Sequence, residues 1–321
     1  MKQLFLLKAL LAISFSLMAG GPAKTYKNPV VNYSLPDPTV IKGEDGYFYL
    51  YATEDIRNLP IHRSKDLVNW ESVGTAFTPE TRPTFESKGN LWAPDINKIG
   101  HKYVLYYSMS RWGSEWTCGI GVAASDKPEG PFKDHGMMFR SNEIGVQNSI
   151  DPFYIEDGGK KYMFWGSFRG IWAIELADDG LSLKPGAGKR KIAGDQYEGT
   201  YIHKRDGYYY LIVSTGDFMK DYHVVVGRSR SLMGPYVDRA GRDMLGVHHE
   251  LVVGNGNGFV APGHNAEFIT DDKGQDWMLY HTRLEVGGPR YLLLDRIEWN
   301  DGWPEVRGHV PARSAEAPVF E

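Results

Sequence analysis

The sequence predicts an all-β, single-domain chain folded as a five-bladed β-propeller. Three observations carry the prediction. An aromatic-rich strand recurs five times, as FYLYAT (48–53), YVLYYS (103–108), YMFWGS (162–167), YYLIVS (209–214) and WMLYHT (277–282). The ends of these strands, Thr53, Ser108, Ser167, Ser214 and Thr282, lie 55, 59, 47 and 68 residues apart. That spacing leaves room in each unit for about four short strands. The flanks repeat as well, with a short strand and a turn before each aromatic strand and a third strand after it.

The units follow in order. Unit one reads DPTVIKGEDG before its aromatic strand and IHRSKDLVNW after it. Unit two reads PDINKIGHK and GVAASDKPEGPF, and unit three DPFYIEDGGK and AIELADDGLSL. Unit four reads EGTYIHKRDG and GRSRSLMGPY, and unit five HNAEFITDDKGQD and LLLDRIEWNDGWP. The DG and GG pairs are hairpin signals because glycine takes positive φ without steric cost. A β-sandwich is the competing all-β fold, and five regular units disfavour it. The stretch YLLLDRIEWNDGWPEV is expected to close the last blade. Long amphipathic helices are hard to find.

Composition narrows the function classes. Of 321 residues, 42% are hydrophobic, enough for a sizeable core. Residues 1–23 read as a secretory signal, with Lys2 and Lys8, the apolar run ALLAISFSLMA (9–19) and the small residues GGPA. Removing them leaves 34 basic and 40 acidic residues, a net charge of about −6. With no basic run, nucleic acid is not an expected partner. The mature chain, 24–321, is expected to be an exported, periplasmic or extracellular monomer without a membrane span. Cys118, the only cysteine, cannot form an intramolecular disulfide and reads as a small buried apolar residue.

Three acidic residues stand at one spacing. Asp37, Asp151 and Glu198 each lie 16 residues before the end of an aromatic strand. In a propeller the first strand of each blade lines the central channel, so these carboxyls are expected at one end of it. Acetal hydrolysis needs one carboxyl kept protonated to serve the leaving oxygen and another kept ionised to activate water. A third carboxylate nearby can raise the acid's pKa by repulsion. Unit two offers Trp92 and Asp95 in NLWAPDI, and unit five His264 and Asn265 in PGHNAEF.

The set LPDPTV, NLWAPDI, SIDPFYI, YEGTYI and PGHNAEF resembles glycoside hydrolase family 43, the family of arabinanases, arabinofuranosidases and β-xylosidases, from Asn28 to Val306. The resemblance implies a five-bladed propeller that inverts the anomeric carbon. It implies Asp37 as general base, Glu198 as general acid, and Asp151 as the residue that orients Glu198 and raises its pKa. Inversion leaves room for water, so it implies carboxyls of Asp37 and Glu198 about 6.5–9.5 Å apart. Trp92, Trp165 and Arg290 are candidate sugar contacts. His264 resembles a channel histidine beside calcium; the chemistry itself requires no cofactor. The WAPD, GSF and GHN motifs lean towards α-L-arabinofuranosidic linkages in arabinan or arabinose-containing plant polysaccharides. A β-xylosidase, which would act on xylan, is the alternative within the family, and a non-catalytic glycan-binding propeller the alternative outside it. Retaining fructan hydrolases are disfavoured, since no arginine precedes Asp151. The segments 110–119 and 214–223 are candidate cleft walls that would decide exo or endo action.

Overall fold

A computed structural model describes residues 24–320. The signal reading of 1–23 falls outside the described residues. Five antiparallel blades succeed one another along the chain, and a sixth, two-stranded sheet pairs Thr25–Lys27 with Ser314–Glu316. Blade 1 is built from Thr39–Lys42, Phe48–Tyr51, Pro60–Ser64 and Glu71–Thr75. Blade 2 is built from Asn90–Ile99, Lys102–Ser110, Gly119–Ser125 and Lys133–Arg140. Blade 3 uses Phe153–Asp157, Lys160–Trp165, Ile171–Glu175 and Arg190–Ala193. Blade 4 uses Glu198–Arg205, Tyr208–Thr215, His223–Ser229 and Glu250–Val253. Each aromatic repeat is the second strand of its blade, as the spacing predicts. Among the described residues the one α-helix is a single turn, Ser141–Ile144.

The fifth blade is completed from both ends of the chain. Its core strands are Val260–Gly263, Asp276–Arg283 and Tyr291–Asn300, and Val31–Ser34 from the N-terminal side pairs with the last of them. Trp303–Val306 continues that third strand as a hairpin. The C-terminal stretch therefore closes the blade only jointly with residues 31–34. Strands from both ends of the chain thus lie in one sheet, which holds the ring of blades closed.

The core lies between blades. One cluster packs Tyr49, Tyr51 and Ile61 of blade 1 against Ile96, Leu105 and Tyr107 of blade 2. Others join blades 2 and 3, blades 3, 4 and 5, and blades 5 and 1. The second strands are covered on both faces, which is why they read as continuous apolar runs. Buried tyrosine hydroxyls need partners, and they reach over to neighbouring loops: Tyr106 donates to the Gly180 carbonyl at 2.7 Å and Tyr210 to that of Gly302 at 2.7 Å. Cys118 is buried, as expected, and burial pushes its thiol up.

Candidate active site

A repeated latch builds the floor of the site. Each blade carries a residue with positive φ in its first strand or within two residues of it: Asp37, Ala93, Asp151, Gly199 and His264. Four of these backbone N–H groups bond a side chain at the end of the preceding blade's second strand. Asp37 donates to His281 Nδ1 at 3.2 Å, Ala93 to Thr53 Oγ1 at 2.7 Å, Asp151 to Ser108 Oγ at 2.9 Å and His264 to Ser214 Oγ at 2.8 Å. Three hydroxyls of the repeat seen in the sequence, those of Thr53, Ser108 and Ser214, are thus links between blades, and in blade 5 His281 takes that place.

Blade 4 departs from this pattern, and the departure corrects the common register of the three acids. Asp37 and Asp151 occupy the positive-φ position, whereas in blade 4 Gly199 occupies it, with φ of 64°. Glu198 stands one residue earlier, paired in the sheet with Ser214. Gly199 donates to Asp151 Oδ2 at 3.3 Å, and Ser167 turns its hydroxyl to Glu198 instead. A Cβ at Gly199 would sit 3.0 Å from the His264 ring, so glycine is required by both φ and space.

The three carboxyls converge at the base of one cavity of about 790 Å³. Asp37 is 8% exposed and Asp151 5%, while Glu198 is half-buried. Asp37 accepts from Thr53 Oγ1 at 2.5 Å and from Arg290 Nη1 at 3.0 and 3.1 Å. His264 Nδ1 stands 3.4 Å and His281 Nδ1 3.2 Å from its Oδ1. Burial alone would push Asp37 up; Arg290, then His264 and His281, outweigh it and hold the carboxyl well below its usual range. Arg290 is the partner that counts. His281 is neutral, its pKa pushed by burial down to about 4, and a nitrogen accepting the Asp37 amide proton has none to give the carboxylate.

Glu198 and Asp151 shift the other way. Glu198 Oε2 accepts from Ser167 Oγ and Oε1 from Tyr222 Oη, both at 2.6 Å. Burial raises its pKa against the pull of those two hydroxyls, with the Asp37 charge adding to the rise. Asp151 is raised well above its usual range by burial first, then by the charges of Glu198 and Asp37. Side by side, the two carboxyls hold a proton between them to higher pH than Asp37 holds its own. Either hydroxyl can accept as well as donate, so a protonated Glu198 keeps both contacts.

Trp92 lines the cavity half-buried. Trp165 does not. It is 0% exposed in the core between blades 2 and 3, against Phe139, and its indole N–H donates to Ser149 Oγ at 3.0 Å. Blade strands are covered on both faces, so the alternation that marks an outward tryptophan in a one-sided sheet is lost here. Arg290 lines the cavity but spends its nearest donor on Asp37, with Asp55 at 3.8 Å on its other side.

The structure adds Ser167, Tyr222 and His281 to the site. Ser167 and His281 lie at the ends of second strands, so the repeat itself marked the region. Tyr222 comes from the 214–223 loop and has no sequence signal beyond that. It lies over Gly263, where a Cβ would fall 2.0 Å from its ring.

Calcium does not fit the residues around His264. The ion takes about six to eight oxygen ligands. His264 offers one nitrogen, beside an Asp37 carboxylate already held by Arg290, and among the described residues no group of three or more His, Cys, Asp or Glu is set to hold a metal.

A propeller with carboxyls of opposite protonation tendency at the floor of one funnel defines a hydrolase of glycosidic bonds. The sequence profile of glycosyl hydrolases family 43 matches residues 26–304, and the chain belongs to that family. It is 32% identical to the arabinan endo-1,5-α-L-arabinosidase C of Emericella nidulans, over 92% of this chain and 99% of that one. It is 31% identical to the extracellular exo-α-(1→5)-L-arabinofuranosidase of Cellvibrio japonicus, over 84% and 85%. The Cellvibrio cellulosa α-L-arabinanase complexed with arabinohexaose superposes with a TM-score of 0.77 at 30% identity, over 87% of this chain and 99% of that one. Glycoside hydrolysis of this kind requires no cofactor.

Proposed function

We propose that the chain is an exported arabinan hydrolase that cleaves α-L-arabinofuranosidic bonds by single displacement with inversion. The observation that carries the chemistry is that Asp37 and Glu198 line one funnel in unlike surroundings, Asp37 held by the Arg290 guanidinium and Glu198 by the neutral hydroxyls of Ser167 and Tyr222. Asp37, ionised, takes a proton from water as the water attacks the anomeric carbon. Glu198, protonated, gives its proton to the departing glycosidic oxygen. Asp151 accepts from the Gly199 amide next to Glu198 and so fixes the backbone that carries the acid, and the two carboxyls share the proton that the pair retains. Arg290 keeps Asp37 ionised at some cost in basicity. Trp92 offers an aromatic face to a sugar ring.

Arabinose enters this reading from relatives whose names specify arabinan, and export from those named extracellular together with the reading of residues 1–23. No helix among the described residues is long and apolar enough to cross a membrane. The test is a substrate panel of aryl α-L-arabinofuranoside, aryl β-D-xyloside and linear 1,5-α-arabinan, read by product chromatography. Release from arabinan without release from xyloside is expected. Xyloside hydrolysis with arabinan untouched would make the β-xylosidase reading correct. Tight oligosaccharide binding without any product would make the chain a glycan-binding propeller.

A further inference from the structure

The loop leaving the second strand of blade 2 carries Trp112 out over the funnel. Trp112 is 77% exposed, yet its ring stacks on Phe218 with centroids 5.7 Å apart and planes within 17°. Phe218 belongs to the corresponding loop of blade 4. Both line the cavity that holds the three carboxyls. Blades 2 and 4 are not neighbours in a five-membered ring, so this contact vaults the blade 3 sector, where Phe168 and Arg169 line the same cavity. Behind Trp112, Trp92 packs at 5.5 Å.

Both supports are braced. In the blade 4 loop, Met219 and Asp217 N–H groups bond Asp217 and Asp221 side chains at 2.9 and 2.5 Å. Its Phe218 carbonyl accepts from Arg283 Nε at 3.1 Å and its Met219 carbonyl from the Gly287 N–H at 3.2 Å, which ties it to blade 5. The blade 2 loop closes on itself through Cys118 N–H to the Ser114 carbonyl at 2.9 Å. It is tied to blade 3 by Asn148 N–H to the Glu115 carbonyl at 2.7 Å and by the Glu115–Arg169 ion pair at 2.9 Å. A tryptophan left largely in water and held at the end of a braced loop is placed for contact rather than for core packing.

We infer that the Trp112–Phe218 stack is a crossbar that shuts the cleft above blade 3 and restricts the enzyme to chain ends. An endo-acting hydrolase must let a polymer enter and leave on opposite sides of the catalytic carboxyls. Here the side above blade 3 is spanned, so one end of the substrate stops inside the funnel. The inference rests on the arabinan-hydrolase reading and names the determinant of its product pattern.

The experiment compares the full chain with the Trp112→Ala/Phe218→Ala double variant on linear 1,5-α-arabinan, following viscosity, reducing ends and product size from the earliest samples. Trp112→Phe, which preserves a stack, is the conservative control, and thermal unfolding midpoints establish that each variant folds. The wild type and Trp112→Phe are expected to release one short product while viscosity barely falls. The double variant is expected to give a ladder of lengths and a severalfold faster fall in viscosity per bond cleaved. A ladder from the wild type, or an unchanged single product from the folded double variant, overturns the crossbar. A wild type that cleaves aryl xyloside but leaves arabinan intact overturns the functional reading instead, and the crossbar with it.

Discussion

Arg290 and Asp37 set the acid side of the activity profile. Two hydrogen bonds from Arg290 Nη1 stabilise the ionised Asp37 against the cost of burial. Replacing Arg290 by Met removes that stabilisation, so the Asp37 pKa rises. The base is then protonated at higher pH, and the acid limb of kcat/KM against pH moves upward; an unmoved limb would show that Arg290 does not tune the base. Tyr222 acts in the same sense on Glu198, since its hydroxyl favours the charged carboxylate, but there burial outweighs it. Glu198→Ala and Asp37→Ala are each expected to lose about 10²–10⁴-fold in activity on arabinan. They separate on an aryl arabinofuranoside with a strongly acidic leaving group, which needs no proton. Glu198→Ala keeps much of its rate there and Asp37→Ala does not. Equal losses on that substrate would contradict the division of roles.

At the scale of elements, the latch between blades is the feature that positions the chemistry. Ser108→Ala leaves the buried Asp151 N–H without its partner, a cost of about 1–3 kcal/mol. Urea unfolding should register that loss, and a midpoint within error of the wild type would mean the latch is dispensable. The strand repeat was legible in the sequence because the hydrophobic runs of five second strands, buried on both faces, are each followed by Thr or Ser at the same place. The one-residue offset of Glu198 was not legible. It comes from where positive φ falls in each first strand, and EGTY conceals that as a glycine after the acid rather than an acid at the turn. Trp165 misled for a related reason, since strands buried on both faces carry no alternation to separate channel from core. Tyr222 and Trp112 stand on loops, and only the assembled ring brings them to blades from which they are distant in sequence.

At the scale of the whole molecule, the ring depends on its closure and on its channel. Val31 opens the strand that completes blade 5 and Leu35 follows it, 5% and 0% exposed, and burying each contributes about 1.5–3 kcal/mol. Below the active site, Asp95 of blade 2 and Glu267 of blade 5 face the channel. Asp95 accepts from the Tyr154 N–H at 2.7 Å, and Glu267 from the Val40 N–H at 2.8 Å and Thr39 Oγ1 at 2.9 Å, so the two stitch four blades together. Burial raises both carboxyls, and for Asp95 the neighbouring Glu267 charge raises it further. A carboxyl whose pKa is higher folded than unfolded stabilises the fold below its unfolded pKa, and that contribution is lost as pH rises through the folded value. Asp95→Asn, which can still accept from Tyr154, should therefore unfold at a higher temperature than the wild type at neutral pH, with the gap closing in mild acid. A variant less stable than the wild type at neutral pH would mean that the charge is better accommodated than burial implies.

The central claim is that two carboxyls on one funnel hydrolyse an arabinofuranoside by a single inverting step. Proton NMR of the first sugar released from linear 1,5-α-arabinan tests it most directly. The claim predicts that the β-anomer appears first and only then equilibrates, whereas first appearance of the α-anomer would contradict it.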